Sequence, residues 1–191
     1  RELHRNHTLI AGGSAADIQN GIALSVDLSG DQMGGSDGLV GYRAKRNTGV
    51  VDVDRPASCA IADYWEPITA RAQSQFVLDP DQFYILASKE AVHVPPTHAA
   101  EMVPFNPLVG EFRVHYAGFM DPGFGHAAAG GSGARVVLEV RSHKVPFILE
   151  DGQIVGRLIY ERMSEYPEML YGTGLGSHYQ AQGLKLSKHF R

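Results

Sequence analysis

Apolar and polar residues alternate along much of this chain, in short runs separated by turn-forming residues. Between Ile22 and Leu28, branched or large apolar residues occupy every second position, and Ala, Ser and Asp lie between them. This period of two predicts a half-buried strand. Similar patterns predict further extended segments at 40–46, 49–54, 75–78 and 82–87.

These runs are spaced as two strand pairs. Asn47 and Thr48 separate the runs at 40–46 and 49–54, which we expect to pair with each other. The turn Asp79-Pro80-Asp81 separates the second pair. The chain therefore changes direction at short, regular intervals, as expected of a β protein.

Helical signals are scarce. The one predicted helical turn is 97–102, with Thr97 as its cap and Glu101 in its first turn. The preceding segment, 93–96, ends in two prolines and cannot be helical. With 22 glycines and 10 prolines distributed among short strands, the chain is predicted to form an all-β, sandwich-like or barrel-like fold.

The composition limits the classes of molecule that the chain is expected to bind. At 191 residues the chain is long enough for one well-filled core and short for two. Apolar residues make up 43%, charged residues 20%, and the formal net charge is -4. A mildly acidic chain gains no counterion-release affinity for a phosphate backbone, so we expect no nucleic-acid partner. A nucleotide stays open as a ligand, since it needs only a few local cations.

The cysteine content and the hydropathy of the chain indicate the cellular compartment that we expect. Cys59 is the single cysteine, so no internal disulfide can form, which fits a reducing compartment such as the cytoplasm. No run of about 18 apolar residues and no charged-then-apolar leader is present, so we expect neither a membrane span nor a signal peptide. The chain begins at Arg1 rather than Met, and we expect a fragment or a processed product.

One acidic residue lies within a strongly apolar strand pattern. Alternation over 135–141 places Val136 and Leu138 on one face and Glu139 on the other. Two interpretations follow. Glu139 is either a solvated acid flanked by Arg135 and Arg141, or a general base in a cleft.

Asp121-Pro122-Gly123 predicts a tight turn. Proline favours extended geometry at Asp121, and Gly123 permits a positive φ. This sequence is common in purely structural turns, so the pattern alone leaves the role of Asp121 open.

The nine histidines do not predict a metal centre. A metal-binding jelly roll needs two histidines at i and i+2 with a glutamate shortly after, and neither His93 with His98 nor His115 with His126 has that spacing. A zinc deaminase needs a Cys-x-x-Cys pair, which a single cysteine cannot supply. We therefore expect no protein-bound metal and no zinc.

The order of residues from 110 to 157 resembles the deoxycytidine triphosphate deaminases of the trimeric dUTPase superfamily. The features that carry the resemblance are the Gly-Glu-Phe-Arg-Val-His-Tyr strand, the Asp-Pro-Gly turn, the Val-Leu-Glu strand and the Gly-Gln-Ile-Val-Gly-Arg strand. Segments at 25–28 and 78–84 also match family positions. The similarity extends from about residue 21 to the C-terminus, and the chain closely resembles the C-terminal half of a double-length deaminase form found in some bacteria.

The resemblance implies a fold and an organisation. It implies a distorted jelly-roll, or β-clip, of the trimeric dUTPase type with few short helical turns. Residues 1–20 would be a lead-in, 21–163 the β domain, and 164–191 a mobile tail that closes over the site. It further implies a homo-oligomer, trimeric or pseudo-hexameric, and a covalent or missing N-terminal half.

The resemblance also implies roles for individual residues at the base and sugar. Glu139 would activate water for attack on cytosine C4. The backbone carbonyl of Ala117 would help to hold that water, and Asp121 would accept a hydrogen bond from the deoxyribose 3′-hydroxyl.

In the tail, Tyr171, His178 and Gln182 fall where the family places a tyrosine, a lysine and a glutamine that close over the nucleotide. His178 is a weaker phosphate ligand than lysine. On composition alone this glycine-rich tail also reads as a disordered terminus.

Two departures from the family affect the phosphate end. Where the family has a Gly-Arg-Ser-Ser cradle and a further arginine, this chain has Met102-Val-Pro-Phe and then Leu108. Phe119 replaces another family arginine. We therefore expect the phosphate ligands to come from another polypeptide segment.

The implied function is hydrolysis of dCTP to dUTP and ammonia, with Mg²⁺ carried on the triphosphate. Two alternatives stay open. One is a dUTP diphosphatase in which Asp121 assists attack at phosphorus. The other is a non-catalytic structural half that completes an oligomer.

Overall fold

The fold consists almost entirely of antiparallel strands. The computed structural model describes residues 1–11, 18–30, 38–104, 112–116, 119–142, 144–172 and 183–191. Its strands are β1 Ile22–Ser25, β2 Leu39–Ala44, β3 Trp65–Thr69, β4 Gln75–Leu78, β5 Phe83–Val92, β6 His98–Pro104, β7 Phe112–Tyr116, β8 Phe119–Met120, β9 Ala134–Ser142, β10 Phe147–Glu150 and β11 Ile154–Arg162. The all-β prediction is confirmed.

Within the described residues the helices are short. They are α1 Glu2–His7, α2 Ile61–Tyr64 and a 3₁₀ turn at Ala127–Ala129. In this part of the chain no helix has the length and apolar character needed to cross a bilayer.

Three sheets form the architecture. A five-stranded sheet has the order β3-β2-β5-β9-β7, a four-stranded sheet has the order β1-β11-β6-β8, and β10 pairs with β4 in a two-stranded sheet. All of these strand pairs are antiparallel. Completely buried side chains from the two larger sheets belong to one hydrophobic core, including Leu24, Met102 and Leu158 of the four-stranded sheet and Tyr84, Leu86 and Leu138 of the five-stranded sheet.

Strand β9 has one buried face and one outer face. Val136, Leu138 and Val140 are 1%, 0% and 1% exposed, whereas Val137 and Glu139 are half-buried and Arg141 is exposed. The predicted alternation is confirmed. Because pleating sends successive side chains to opposite faces, core packing of the valines fixes Glu139 on the outer face.

Residues near the N-terminus join the core. Leu9 and Ile10 are buried, and the backbone of 9–11 continues along the end of β5, where the His93 amide donates to the Leu9 carbonyl and the Ala11 amide to the Ala91 carbonyl, both at 2.9 Å. Part of the predicted lead-in 1–20 therefore contributes to the β domain. The boundary at residue 21 itself stays a prediction.

The predicted helical turn at 97–102 is wrong. The segment forms the first part of β6, which pairs with β11 on one side and β8 on the other. Ala100 and Met102 are buried in the core. A threonine cap and an early glutamate are local preferences, and pairing on both edges outweighs them.

Two strand predictions also need correction. Residues 49–54 form no strand, and β2 instead pairs with β3 on one side, with Tyr42 opposite Pro67 and Arg43 opposite Glu66, and with β5 on the other. The runs at 75–78 and 82–87 are both extended but do not pair with each other. Strand β4 pairs with β10, and β5 lies between β2 and β9. Alternation identified extended segments, but it carries no information on the partner.

Candidate active site

A cavity of about 460 Å³ lies on the outer face of the five-stranded sheet. Its floor is formed by outward-facing residues of β5 and β9, where Ile85 pairs with Glu139. The lining residues are Trp65, Phe83, Ile85, Phe119, Met120, Asp121, Phe124, Val136, Val137, Glu139, Tyr171, Lys185, Leu186, Ser187 and Phe190. A mainly apolar cavity with a few converging polar groups is typical of a small-molecule site.

Glu139 is half-buried in this floor. The arginines on either side of it in sequence have contacts of their own. The Arg135 guanidinium donates to the buried carboxylate of Asp27 at 2.8 Å, and the Arg141 guanidinium lies 4.7 Å from the centre of the Phe83 ring. Glu139 lines the cavity, whereas neither of these arginines is among the lining residues.

Asp121 opens a tight turn at the edge of the cavity. The Phe124 amide donates to the Asp121 carbonyl at 3.0 Å, and Gly123 has a φ of 101°. A Cβ at Gly123 would lie 2.9 Å from the Leu170 Cβ, so both the positive φ and the packing require glycine. The predicted turn is confirmed, and it places Asp121 among the residues that line the cavity.

Tyr171 is held directly against this turn. Its amide donates to the Pro122 carbonyl at 2.8 Å, and its ring centroid lies 5.7 Å from that of Phe124. The structure thus brings Tyr171, Asp121 and Glu139 to one cavity, although they lie far apart in sequence.

The C-terminal segment 183–191 forms another wall. Its backbone pairs with the segment 57–61. The Ala57 amide donates to the Lys188 carbonyl at 2.9 Å, and the Arg191 amide donates to the Cys59 carbonyl at 3.0 Å. Phe190 packs edge-on against Tyr64 and Trp65, with ring centroids 5.5 and 5.7 Å apart.

This wall contains cavity residues that sequence reasoning missed. Lys185 is the one cation among the lining residues of the described structure, and Trp65, Phe83 and Phe190 form an aromatic end of the cavity. No local pattern marks them, because their proximity depends on pairing between distant segments. Mobility of the tail 164–191 and its closure over a ligand stay predictions.

Several predicted site residues lie outside the described residues. They are Ala117, His178 and Gln182, together with Leu108 at the expected phosphate end.

Val103 at that end is 39% exposed in β6. It pairs with Arg157 of β11, whose guanidinium donates to the Gln19 carbonyl at 2.8 Å. The residue opposite Val103 on the neighbouring strand is therefore a cation, and its guanidinium already donates to a backbone carbonyl.

The described residues contain no group of three or more His, Cys, Asp or Glu side chains placed to hold a metal ion. The two histidines nearest the Asp121 turn, His93 and His126, have ring centroids 6.4 Å apart.

Comparison with solved structures identifies a similar fold. The crystal structure of 2′-deoxycytidine 5′-triphosphate deaminase from Agrobacterium tumefaciens matches with a TM-score of 0.80 and 64% sequence identity. The match covers 92% of this chain and 49% of that chain. The dUTPase-like, all-β architecture implied by the resemblance is thereby confirmed.

Curated proteins show the same relationship at lower identity. A protein of Beutenbergia cavernae named dCTP deaminase, dUMP-forming, is 35% identical over 112 residues, which are 56% of this chain and 54% of the relative. A protein of Methanobrevibacter smithii with the same name is 31% identical over 116 residues, or 59% and 55% of the two chains. The chain thus spans about half the length of the relatives that it matches.

The family model covers almost the whole chain. The model described as 2′-deoxycytidine 5′-triphosphate deaminase (DCD), C-terminal domain, matches residues 1–190. This agrees with the 49% coverage of the solved deaminase. The chain belongs to the family of 2′-deoxycytidine 5′-triphosphate deaminase C-terminal domains.

Proposed function

We propose that this chain takes part in the hydrolytic deamination of dCTP, with Glu139 as the group that activates water. The observation that carries the proposal is the single cavity lined by Glu139, Asp121 and Tyr171. Membership of the deaminase family and the names of the relatives support the same reaction.

Hydrolytic deamination requires a group near cytosine C4 that can accept and donate protons. Water loses a proton as its oxygen bonds to C4, ring N3 gains a proton, and the departing amino group takes another as the C–N bond breaks. The sum is dCTP plus water giving dUTP plus ammonia. A carboxylate such as Glu139, held on a strand beside the ring, can accept the first water proton and pass it to N3, and can then take the proton of the new C4 hydroxyl and pass it to the departing amino group as the C4 carbonyl forms.

Binding of the sugar is assigned to the turn beside the cavity. Asp121 would accept a hydrogen bond from the 3′-hydroxyl, and Tyr171, fixed to the same turn through the Pro122 carbonyl, would pack beside it. The Ala117 carbonyl would help to hold the attacking water. His178 and Gln182 would close over the phosphates from the tail.

Metal enters this proposal only with the substrate. Mg²⁺ would be carried on the triphosphate, where it offsets phosphate charge. Because the sequence has Cys59 alone, it has no Cys-x-x-Cys pair for a zinc-bound water, and the proposed reaction at C4 uses no zinc.

The names of the relatives point to a product other than the dUTP that the sequence led us to expect. The sequence led us to expect dUTP, whereas the curated relatives are named dUMP-forming. Formation of dUMP requires a second hydrolysis, in which water attacks phosphorus and pyrophosphate leaves. Those names favour a bifunctional deaminase-diphosphatase as the second candidate, in which Asp121 would assist the attack at phosphorus.

A third candidate is a non-catalytic half that completes an oligomer. The coverage of about half of each relative and the apolar Val103 at the expected phosphate end favour it. Under this proposal, the partner is a preceding N-terminal half or another copy in a trimeric or pseudo-hexameric assembly.

Product analysis distinguishes the deaminase, the bifunctional enzyme, a dUTP diphosphatase and the non-catalytic half. The complete protein, including any segment that precedes this chain, is incubated in separate reactions with dCTP and with dUTP, each with Mg²⁺, and ammonia and pyrophosphate are measured separately. Ammonia alone supports the deaminase, equal amounts of both support the bifunctional enzyme, and pyrophosphate from dUTP without ammonia from dCTP supports the diphosphatase. Release of neither product contradicts the proposed function and leaves the structural half.

A further inference from the structure

The loop between β8 and β9 is organised around His126. The His126 amide donates to the Gly123 carbonyl at 3.0 Å, forming a second turn that overlaps the Asp121 turn. The His126 Nδ1 accepts the Ala128 amide at 3.1 Å, and the His126 carbonyl accepts the Gly131 amide at 2.9 Å. Both the side chain and the backbone of His126 therefore hold this loop.

His93, just after β5, holds the loop from the other side. Its Nδ1 lies 2.9 Å from the Gly125 carbonyl oxygen, and because a carbonyl only accepts, that nitrogen carries the proton. Its ring is nearly perpendicular to that of His126, at 88°. A Cβ at Gly125 would lie 2.2 Å from the Val92 carbonyl oxygen, so the loop packs directly on the end of β5.

The His126 ring is sensitive to protonation for a geometric reason. Its Nδ1 accepts an amide hydrogen, and a protonated imidazole has no acceptor nitrogen. Two titratable groups face it, namely His93 and His7 of α1. Burial, and then these two neighbours, lower the pKa of His126 below its ordinary value. Below that pKa the ring gains a charge beside two other imidazoles and loses its bond to the Ala128 amide.

We propose that neutral His126 is a positioning residue for Asp121, so that acid loosens the β8–β9 loop and weakens the hold on the bound deoxyribose. The overlapping turns at 121–126 carry the effect, since they share Gly123, whose amide donates to the Val94 carbonyl at 3.0 Å. The link to the nucleotide rests on the proposed function, whereas the response of the loop to acid does not.

Two variants of His126 distinguish the effect of its hydrogen-bond acceptor from the effect of its size. His126→Asn keeps an acceptor, because the asparagine side-chain oxygen bonds the amide two residues on in the same manner, and it cannot take up a proton. His126→Ala removes the acceptor at every pH. The matched control is His98→Asn, which removes another histidine whose pKa is lowered by burial but which lies at the start of β6.

The first readout is the hydrogen-exchange protection factor of the Ala128 amide in the 191-residue chain between about pH 5 and 7.5. Wild type and His98→Asn are expected to lose about tenfold in protection on acidification, the value of one hydrogen bond. His126→Asn is expected to stay protected throughout, and His126→Ala to stay low throughout. Equal loss of protection in wild type and His126→Asn would overturn the proposal.

The second readout is the KM for dCTP in the complete protein over the same range. Acid should raise KM severalfold more in wild type than in His126→Asn, while the ratio of their kcat values stays nearly constant. A KM ratio that does not change with pH overturns the positioning role. Failure of the proposed function gives a different result, because wild type then releases no ammonia from dCTP even at neutral pH. In that case the hydrogen-exchange measurement alone tests whether protonation of His126 loosens the loop.

Discussion

The two ends of the expected nucleotide site are built differently. At the base and sugar end, Glu139, Asp121 and Tyr171 line one cavity, held by the register of β9, a glycine turn and a backbone hydrogen bond. At the phosphate end, Val103 lies half-exposed in β6, where the family resemblance predicts an arginine-rich cradle.

This contrast suggests a hypothesis, in which the fold preserves the base and sugar end of the proposed site while the phosphate end lies elsewhere. The base and sugar end depends on the strand pairing that also builds the core, so it persists with the fold. The phosphate end depends on charged side chains that contribute little to folding. We propose that a division of labour between this chain and another segment accounts for the difference.

The largest expected effect comes from testing the chain by itself. Without two arginine contacts to the triphosphate, each worth about 1.5–3 kcal/mol, the isolated 191 residues should turn over dCTP roughly 10³-fold more slowly than the complete protein. Ammonia release measures this difference. Supplying in trans a segment of the complete protein that carries the arginines should restore the rate, and a fast isolated chain would place the phosphate ligands within it.

Removing the proposed base is the next test. Glu139→Gln keeps the shape of the side chain but cannot accept a proton, so kcat should fall by about 10² or more with little change in nucleotide binding. The matched control is Glu150→Gln, since Glu150 lies in β10 and bonds the Gln75 side chain at 3.0 Å. Parental kcat for Glu139→Gln in the complete protein would show that the base is another group.

The rigidity of the sugar end can be broken at Gly123. Gly123→Ala should destabilise the chain by about 3 kcal/mol, because strain at a positive φ is added to contact with Leu170. Gly152→Ala is the control, since Gly152 has a φ of 75° and no atom within 4 Å of the added Cβ. That variant should lose only about 1 kcal/mol. Equal losses in urea unfolding would mean that packing at Gly123 contributes nothing.

The smallest expected effect concerns the cation on the C-terminal wall. Lys185→Met keeps the aliphatic stem but removes the charge of a residue that lines the cavity, so the Kd for dCTP should rise severalfold in the complete protein. Lys188→Met, on the same segment but absent from the cavity lining, is the control. If the two variants bind dCTP with the same Kd, Lys185 does not contribute to the site.

Local patterns predicted the features that depend on local physics. The alternation over 135–141 placed Glu139 on the outer face, and Asp121-Pro122-Gly123 predicted the turn, because pleating and φ preferences act over a few residues. The same kind of signal failed at 97–102, where a cap pattern yielded to pairing with β11 and β8.

The rest of the site could not be predicted because it depends on distant segments. Trp65 and Phe190 meet where residues 57–61 pair with 188–191, and the contacts that hold Tyr171 at the cavity include the Pro122 carbonyl and the Phe124 ring. The loop contact of His126 with Ala128 is local, but its significance depends on His93 and on the neighbouring Asp121 turn. No periodicity encodes such contacts.

The division of labour is tested most directly by calorimetric titration of the isolated 191-residue chain with deoxycytidine and with dCTP plus Mg²⁺. If the arginine cradle lies in another segment, the two ligands should bind with Kd values within about tenfold of each other, because this chain offers the phosphates only weaker contacts such as His178 and Lys185. Binding of dCTP about 100-fold tighter than deoxycytidine would contradict the account and show that this chain holds the triphosphate itself.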